Sequence, residues 1–591
     1  MFAKTEMSAA ETFSAAGRLP VHGALALRAW AHPAKRLFTF LDDEGEESGH
    51  LSYLDLWRHA RAIGRALSAR GEAGERVMLF FPPGLDFIAA FLGCLMSGRI
   101  AVPINLPTRR RADRCVKIIL DSGATAAMAP SSLIGDMIAT FAETEAADLN
   151  WIESTAVAAD PREIPETADA QFDFDPNGLA FLQYTSGSTS SPKGVMVSHG
   201  NISTNLRMMR DSWALDHESD MVFWQPHHHD MGLILGQLLP IVLGNHSVLM
   251  APNTFVRQPS LWLRAISRYR AKLAGGPNFA YDLAVERYAP EKLQGVDLSC
   301  WDIALNGADM VRATTLERFH ALHHAHGFRA ESFLPCFGLA EATLYVSGGP
   351  RQRKTRVVTA DPAILEQEGR VAPPATPAEG RQFVGCGEPS WEVEVAIVDP
   401  ETGRRRGPDE TGEVWISGKS VASGYWRNEA ATSRSLRARL DDAPGKTFLR
   451  TGDLGFLGGQ DKQLYICGRL KDLIICDGRN LHPEDIEYSI VEASDALKPQ
   501  SCAVFAHDDA NEKPCIVAAI EVDRDLKRRL AAEAKPLQAA IRAAVANDHG
   551  VTLGRILFVL PSNMRKTTSG KIQRGVMRRL YLDGELEVLQ P

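Results

Sequence analysis

No stretch of this chain approaches the roughly eighteen consecutive apolar residues that a membrane span needs. The most apolar segment is residues 87–96. The N-terminal MFAKTEMSAAETFSAAG also lacks an apolar core of the signal-peptide kind, which predicts a soluble, unprocessed, cytoplasmic protein without an integral membrane segment. A basic excess is missing too: 65 Lys and Arg stand against 73 Asp and Glu, a formal charge of −8. A nucleic-acid-binding face needs positive charge to displace counterions, so no nucleic-acid partner is expected. Cysteine is sparse: the nine at 94, 115, 300, 336, 386, 467, 476, 502 and 515 are odd in number, contain no C-x-x-C and sit mostly in apolar runs. They read as reduced core residues, not as a disulfide framework or a thiolate metal site. Internal repeats, low-complexity tracts and a Walker A loop are absent as well.

What is present is globular. An apolar fraction of 45% and a charged fraction of 23% are ordinary, and 591 residues exceed one typical domain. Leu56, Ala60, Ile63 and Leu67 share a helical face, the apolar run 77–81 follows, and then come a helix over 86–96 and a strand over 100–105. This alternation predicts an α/β fold with helix-covered sheets. Residues 159–176 are acidic and Pro-interrupted, a surface connection that leads into a strand over 179–184. Residues 351–382 begin RQRKTR, carry Pro373, Pro374 and Pro377, and read as an insertion or exposed loop between core strands. The β-patterned runs 393–398 and 412–417, separated by turn residues, predict a small antiparallel unit. Beyond Arg469 strand patterns mix with a long helix over 526–547, a small α+β unit. The predicted division is a large domain over 1–468 and a small mobile domain over 469–591.

The glycines cluster with Ser, Thr, Lys and Asp. In Tyr184-Thr-Ser-Gly-Ser-Thr-Ser-Ser-Pro-Lys-Gly194, glycines let backbone N–H groups approach oxyanions, hydroxyls donate, and Lys193 supplies a point charge. A flexible surface loop is the alternative reading; the preceding strand and the closing Pro-Lys-Gly argue against it. Phe337-Gly-Leu-Ala-Glu341, Arg450-Thr-Gly-Asp453, Gly468-Arg-Leu-Lys-Asp472 and Thr568-Ser-Gly-Lys571 follow in order. With these motifs the chain resembles, over nearly its whole length, the adenylate-forming superfamily of acyl-CoA synthetases, adenylation domains and luciferases. Within it the chain looks most like the fatty acyl-AMP ligases. Gln225-Pro-His-His-His-Asp-Met-Gly-Leu233, Gly275-Gly-Pro-Asn-Phe-Ala-Tyr281, Asn306-Gly-Ala308, the extension of the Phe337 motif to Thr343, and Gly478-Arg-Asn-Leu-His-Pro-Glu-Asp-Ile-Glu487 carry that likeness.

The resemblance implies condensation of a fatty acid with ATP to acyl-AMP and pyrophosphate, then transfer to the phosphopantetheine thiol of an acyl carrier protein supplied in trans. The branch's insertion after the Glu341 motif falls at 351–382, where it would restrict the rearrangement that CoA use requires. A fatty acyl-CoA ligase is the alternative activity, and a non-catalytic acyl- or nucleotide-binding protein a third reading. Because a carboxylate is already ionised at neutral pH, the chemistry needs alignment and charge neutralisation and no general base.

By resemblance, Lys571 reaches the carboxylate and α-phosphate, and Lys193 with Thr185, Ser186, Gly187, Ser188 and Thr189 holds phosphates. Glu341 would be the Mg²⁺ ligand, Asp453 would accept from the ribose hydroxyls, Arg469 would add a nucleotide contact, and Lys471 would be the hinge. Asn306, Gly307 and Ala308 would border the adenine; Phe337, beside Gly338, either borders it too or packs as core. Ala340 replaces the Thr common elsewhere in the superfamily. His227-His228-His229 is not expected to hold zinc, since alternate residues of a strand face opposite ways. His229 would sit where the acyl tunnel meets the nucleotide. Met231, Gly232, Leu233, Ile234, Leu235 and Phe279 either line that tunnel or pack as ordinary core.

Overall fold

The predicted alternation of strands and helices builds two sheets. The computed structural model describes residues 8–590 except 108–111, 167–174, 186–191, 377–379, 477–478, 509–513 and 568–569. One sheet runs in the order Asn150–Glu153, Ala126–Ala129, Arg76–Phe80, Ile100–Ile104, Leu179–Thr185, Lys193–Ser198. Its strands are parallel except the last, which pairs antiparallel and sets Thr185 opposite Lys193. The second sheet has eight strands, from Tyr345–Gly348 at one edge through Phe333–Gly338, Ile303–Asn306, Leu273–Gly276 and Met221–Phe223 to Glu47–Ser52 at the other. Its interior is parallel, as expected where both faces are covered.

Two helices cover these sheets in different ways. Tyr53–Ser68 is amphipathic and buries the predicted stripe Leu56, Ala60, Ile63 and Leu67. Asp86–Met96 is buried almost all round. The two approach so closely that a Cβ at Gly93 would lie 2.5 Å from Ile63 Cγ2, so side-chain-free backbone at 93 is what allows the contact. Among the described residues no helix is long and apolar enough to cross a membrane.

A four-stranded antiparallel sheet follows, in the order Val393–Val398, Gly412–Gly418, Leu449–Leu457, Leu464–Arg469. The described residues of 351–382 are not wholly an exposed loop. They contain the strand Val357–Ala360 and the helix Pro362–Glu368, and their end begins the strand Arg381–Val384, which pairs antiparallel with the first. Ala360, Leu365 and Phe383 pack in a cluster with Leu454, Phe456, Tyr465 and Cys467. Apolar burial against the antiparallel sheet outweighs the polar, proline-bearing composition that suggested a loop.

The terminal unit holds a three-stranded sheet, Cys502–Asp508, Pro514–Glu521 and Leu553–Val559, covered by the helix Arg524–His549. Arg574 ties this unit together: its guanidinium lies 2.7 Å from Glu484, 2.6 Å from Glu487 and 3.3 Å from Asp472. Burial pushes the Glu487 carboxyl up, and the adjacent Arg574 charge opposes that shift. Removing the arginine strands the buried Glu487 charge. Arg574→Ala is therefore expected to cost about 3–5 kcal/mol of unfolding free energy, read as a lowered urea midpoint for this unit; an unchanged midpoint would contradict that assignment. The unit closes on the rest of the molecule through Arg312, whose Nη2 donates to the Glu484 carbonyl at 3.0 Å and whose guanidinium lies 4.9 Å from the Tyr488 ring centroid.

Candidate active site

Between the eight-stranded sheet, the antiparallel sheet and the terminal unit lies a cavity of about 490 Å³, within the range of ligand sites. It gathers side chains from distant parts of the sequence: His229, Glu341, Asp453, Arg469 and Lys571 all line it.

Backbone pairing explains much of this convergence. The register between the last two antiparallel strands sets Asp453 opposite Arg469, and Arg469 Nε lies 2.8 Å from Asp453 Oδ1. Burial pushes the Asp453 carboxyl up, while Arg469, Lys571 and Lys471, in that order, pull it down. The electrostatics therefore record Lys571 as a neighbour of the carboxylate. Lys471, in the short turn Leu470–Asp472 immediately after this strand, also lines the cavity. Lys571 follows Gly570, whose φ of +84° turns the chain; a Cβ there would meet Phe279 Cε1 at 3.3 Å. Gly570 thus rests against Phe279, which itself stands edge-on to Trp224 at 5.8 Å. Thr567 Oγ1 accepts from the Lys571 N–H at 3.0 Å.

The three histidines lie on a turn that opens the π-helix Met231–Leu238, and not on a strand. The alternation argument against a shared metal therefore has no strand to act on; the rings are instead accounted for by packing. His227 stacks on Phe87 at 4.1 Å, and burial lowers its imidazole to about 3. The His228 carbonyl accepts from Gln183 Nε2 at 2.8 Å. Burial lowers His229 as well, with Asp230 opposing and Lys571 reinforcing the shift, so the imidazole is neutral at neutral pH. Beyond it Met231 and Leu235 line the cavity. Leu233 and Ile234 are fully buried core, and Gly232 packs on the Pro226 carbonyl, 2.1 Å from where a Cβ would stand.

Phe337 and Gly338 line the cavity while Phe337 also joins the main core, so the two readings of that phenylalanine coexist. Ala308 lines it too. Asn306 is buried behind this wall, with Nδ2 donating to Asn278 Oδ1 at 3.3 Å. At Gly307 a Cβ would lie 2.6 Å from Cys336 Sγ, so its smallness serves strand packing. Thr185 lines the cavity; Ser186, Gly187, Ser188 and Thr189 lie outside the described residues.

Two residues escaped the sequence reading. Tyr425 donates to Glu341 Oε1 at 2.8 Å, and Lys193 Nζ sits 5.0 Å from its ring centroid. One phenol thus joins Lys193 to Glu341. Its segment reaches there by pairing with the loop's closing strand, Tyr425 against Val195. Arg114, at the start of helix Asp113–Ser122, donates from Nη2 to the Thr185 carbonyl at 3.3 Å and adds a further cation. Gly424-Tyr-Trp426 and the Arg-rich approach to residue 114 were the available signals.

Against known proteins, a family profile described as AMP-binding enzyme matches residues 26–426. The chain belongs to the AMP-binding enzymes. A second profile, described as the AMP domain of Disco-interacting protein 2-like proteins, matches 471–591. Among individual AMP-binding enzymes, the medium-chain-fatty-acid–[acyl-carrier-protein] ligase JamA of Moorena producens is 36% identical over 576 residues, covering 95% of each chain. A fatty acyl-adenylate ligase from L. pneumophila, solved with acyl adenylate and pyrophosphate, is 36% identical with a TM-score of 0.72, covering 96% of this chain and 97% of its own. A structure from work on fatty acyl-adenylate ligases of E. coli and L. pneumophila superposes with a TM-score of 0.84 at 29% identity, over 96% and 99% of the chains. These relatives place the protein in the fatty acyl-AMP ligase branch of the adenylate-forming superfamily.

Proposed function

We propose that this protein joins a fatty acid to ATP and passes the acyl group to an acyl carrier protein. In the first step a carboxylate oxygen attacks the α-phosphorus, the bond to the β-phosphate bridging oxygen breaks, and pyrophosphate leaves. In the second the phosphopantetheine thiolate attacks the acyl carbonyl and AMP leaves. The observation that carries the reading is the meeting of Lys571, from the terminal unit, with Asp453, Arg469, His229 and Glu341 in one cavity. The kinds of partner named for JamA and for the L. pneumophila ligase, a fatty acid, a carrier protein and an acyl adenylate, support it.

Charge and position support the following residue roles. Lys571 and Lys193 neutralise the carboxylate and the phosphates, the neutral His229 borders the reacting carboxyl group, and Asp453 with Arg469 holds the ribose. Ala308, Phe337 and Gly338 border the base. The large domain would end near Gly468 and the small domain would turn about Lys471 between half-reactions.

Among the described residues no group of three or more His, Cys, Asp or Glu could hold a metal. Mg²⁺ commonly takes one or two carboxylates with substrate phosphates and water. Glu341 is the carboxylate that fits, with one oxygen occupied by the Tyr425 hydroxyl. When bound, the ion would neutralise phosphate charge.

Tyr425→Phe removes that hydroxyl and keeps the ring beside Lys193. With a hydrogen bond to a charged group worth about 1.5–3 kcal/mol, the variant is expected to lose tenfold or more in kcat/KM for pyrophosphate release. Raised Mg²⁺ should recover part of the loss. Kinetics unchanged at every Mg²⁺ concentration would contradict a role for the phenol. The proposed activity itself is tested by pyrophosphate release across a fatty-acid chain-length series, with mass analysis for acyl-AMP; no fatty-acid-dependent release would overturn it.

A further inference from the structure

The cavity is lined by Lys571, Asp453 and His229 and also by the apolar side chains of Met231, Leu235, Leu344, Tyr345 and Trp213. The apolar lining follows the helix Met231–Leu238 away from His229, one turn separating Met231 from Leu235. That helix packs against His199–Ser212, whose C-terminal cap is Trp213.

We infer that Trp213 and Tyr345 form the floor of the acyl pocket, so that the fatty acids this protein accepts end against the Trp213 indole and longer chains are refused. The inference rests on the acyl-activating reading of the cavity and adds to it the substrate class: acyl chains bounded in length by a fixed aromatic wall.

Both rings are held from behind. Tyr345 donates its hydroxyl to the Gly348 carbonyl at 2.7 Å and its N–H to Asn205 Oδ1 at 3.0 Å. Asn205 Nδ2 returns a hydrogen bond to the Tyr345 carbonyl at 2.9 Å, stitching the strand edge to helix His199–Ser212. Trp213 stands edge-on to Tyr345, with centroids 4.9 Å apart and planes at 73°, a favoured aromatic geometry. The indole is only 2% exposed. The Gly349 backbone passes close to the indole: a Cβ there would stand 3.4 Å from Trp213 Cδ1. A packed wall of this kind does not deform to admit an extra methylene cheaply, and a single misfitted methylene changes discrimination by about 10–200-fold.

The test compares kcat/KM for fatty-acid-dependent pyrophosphate release across a chain-length series in the wild type, Trp213→Ala and Trp213→Phe. The wild type is expected to show a sharp upper limit. Trp213→Ala should move the optimum a few methylenes longer and raise kcat/KM for the first refused chain at least tenfold; Trp213→Phe should move it less. If turnover is lost, binding of a series of non-hydrolysable acyl-sulfamoyl adenosines to the folded variants reads the same preference. A limit that stays in place in both variants, by turnover or by binding, would overturn the floor assignment while leaving acyl activation intact. Absence of fatty-acid-dependent release in the wild type would instead remove the activity on which the inference rests.

Discussion

Lys571→Ala is expected to lower fatty-acid-dependent pyrophosphate release about 10²–10³-fold, the usual effect of removing a group that meets charge developing in a transition state. The lysine lies in the cavity wall with Asp453 and His229, and its charge perturbs both of them. Its own support is local: the Thr567 hydroxyl holds its backbone N–H and Gly570 seats the loop against Phe279. The alanine variant should therefore fold normally. Asp453 and Arg469 remain paired without it, so KM for ATP should change little while kcat falls. Transfer from preformed acyl-AMP to a carrier protein should proceed at the wild-type rate if, as proposed, the small domain turns about Lys471 and takes the lysine away after the first half-reaction. Lys571→Arg should recover only part of the loss, since a planar guanidinium does not replace a compact ammonium. Pyrophosphate release within a few-fold of wild type would contradict the assignment and favour a non-catalytic binding protein.

The second large effect concerns acceptor choice. Two ion pairs join the 351–382 segment to the terminal unit. Glu366 Oε2, on the helix Pro362–Glu368, accepts from Arg479 Nε at 2.8 Å and Nη2 at 2.6 Å. Arg381 Nη1 lies 2.9 Å from Asp485 Oδ2 while its Nη2 donates to the Cys467 carbonyl at 2.8 Å. Glu366 and Arg381 are mostly buried, so solvent screening is reduced. A hydrogen bond to a charged group contributes about 1.5–3 kcal/mol, and tenfold in a population corresponds to about 1.4 kcal/mol. Glu366→Ala combined with Arg381→Ala is thus expected to raise acyl-CoA formation at least tenfold, measured as thioester product with CoA as sole acceptor, with acyl-AMP formation retained. No gain in a variant that still forms acyl-AMP would mean that these contacts do not govern acceptor choice.

The contrast between these two predictions follows what a linear sequence carries. Lys571, Asp453 and Glu341, which the fold brings to one cavity, each lie in a short contiguous motif whose chemistry dictates residue type at fixed spacing. The stripe of Tyr53–Ser68 was legible because burial of one face imposes a period, and the helix Asp86–Met96, buried almost all round, because it is a continuous apolar run. Contacts between distant segments leave no such trace. Tyr425 reaches Glu341 across 84 positions, and Glu366 reaches Arg479 across 113. Composition also misled at 351–382, where Ala360 and Leu365, with Phe383 just beyond the segment, pack it onto a neighbouring sheet. The histidine turn failed for a different reason: a strand's alternation was assumed where the chain instead opens a π-helix. Asn306 turns its amide to Asn278 and Gly307 packs on Cys336, so of that motif it is Ala308 that lines the cavity.

The central claim is that the activated acyl group is destined for a carrier protein. The most direct measurement supplies purified protein with ATP, Mg²⁺ and a fatty acid, and follows thioester products with holo-acyl carrier protein and with CoA in parallel reactions. The account predicts acyl-AMP in both, acyl-carrier protein in the first and little acyl-CoA in the second. Acyl-CoA formed as fast as acyl-carrier protein would contradict it.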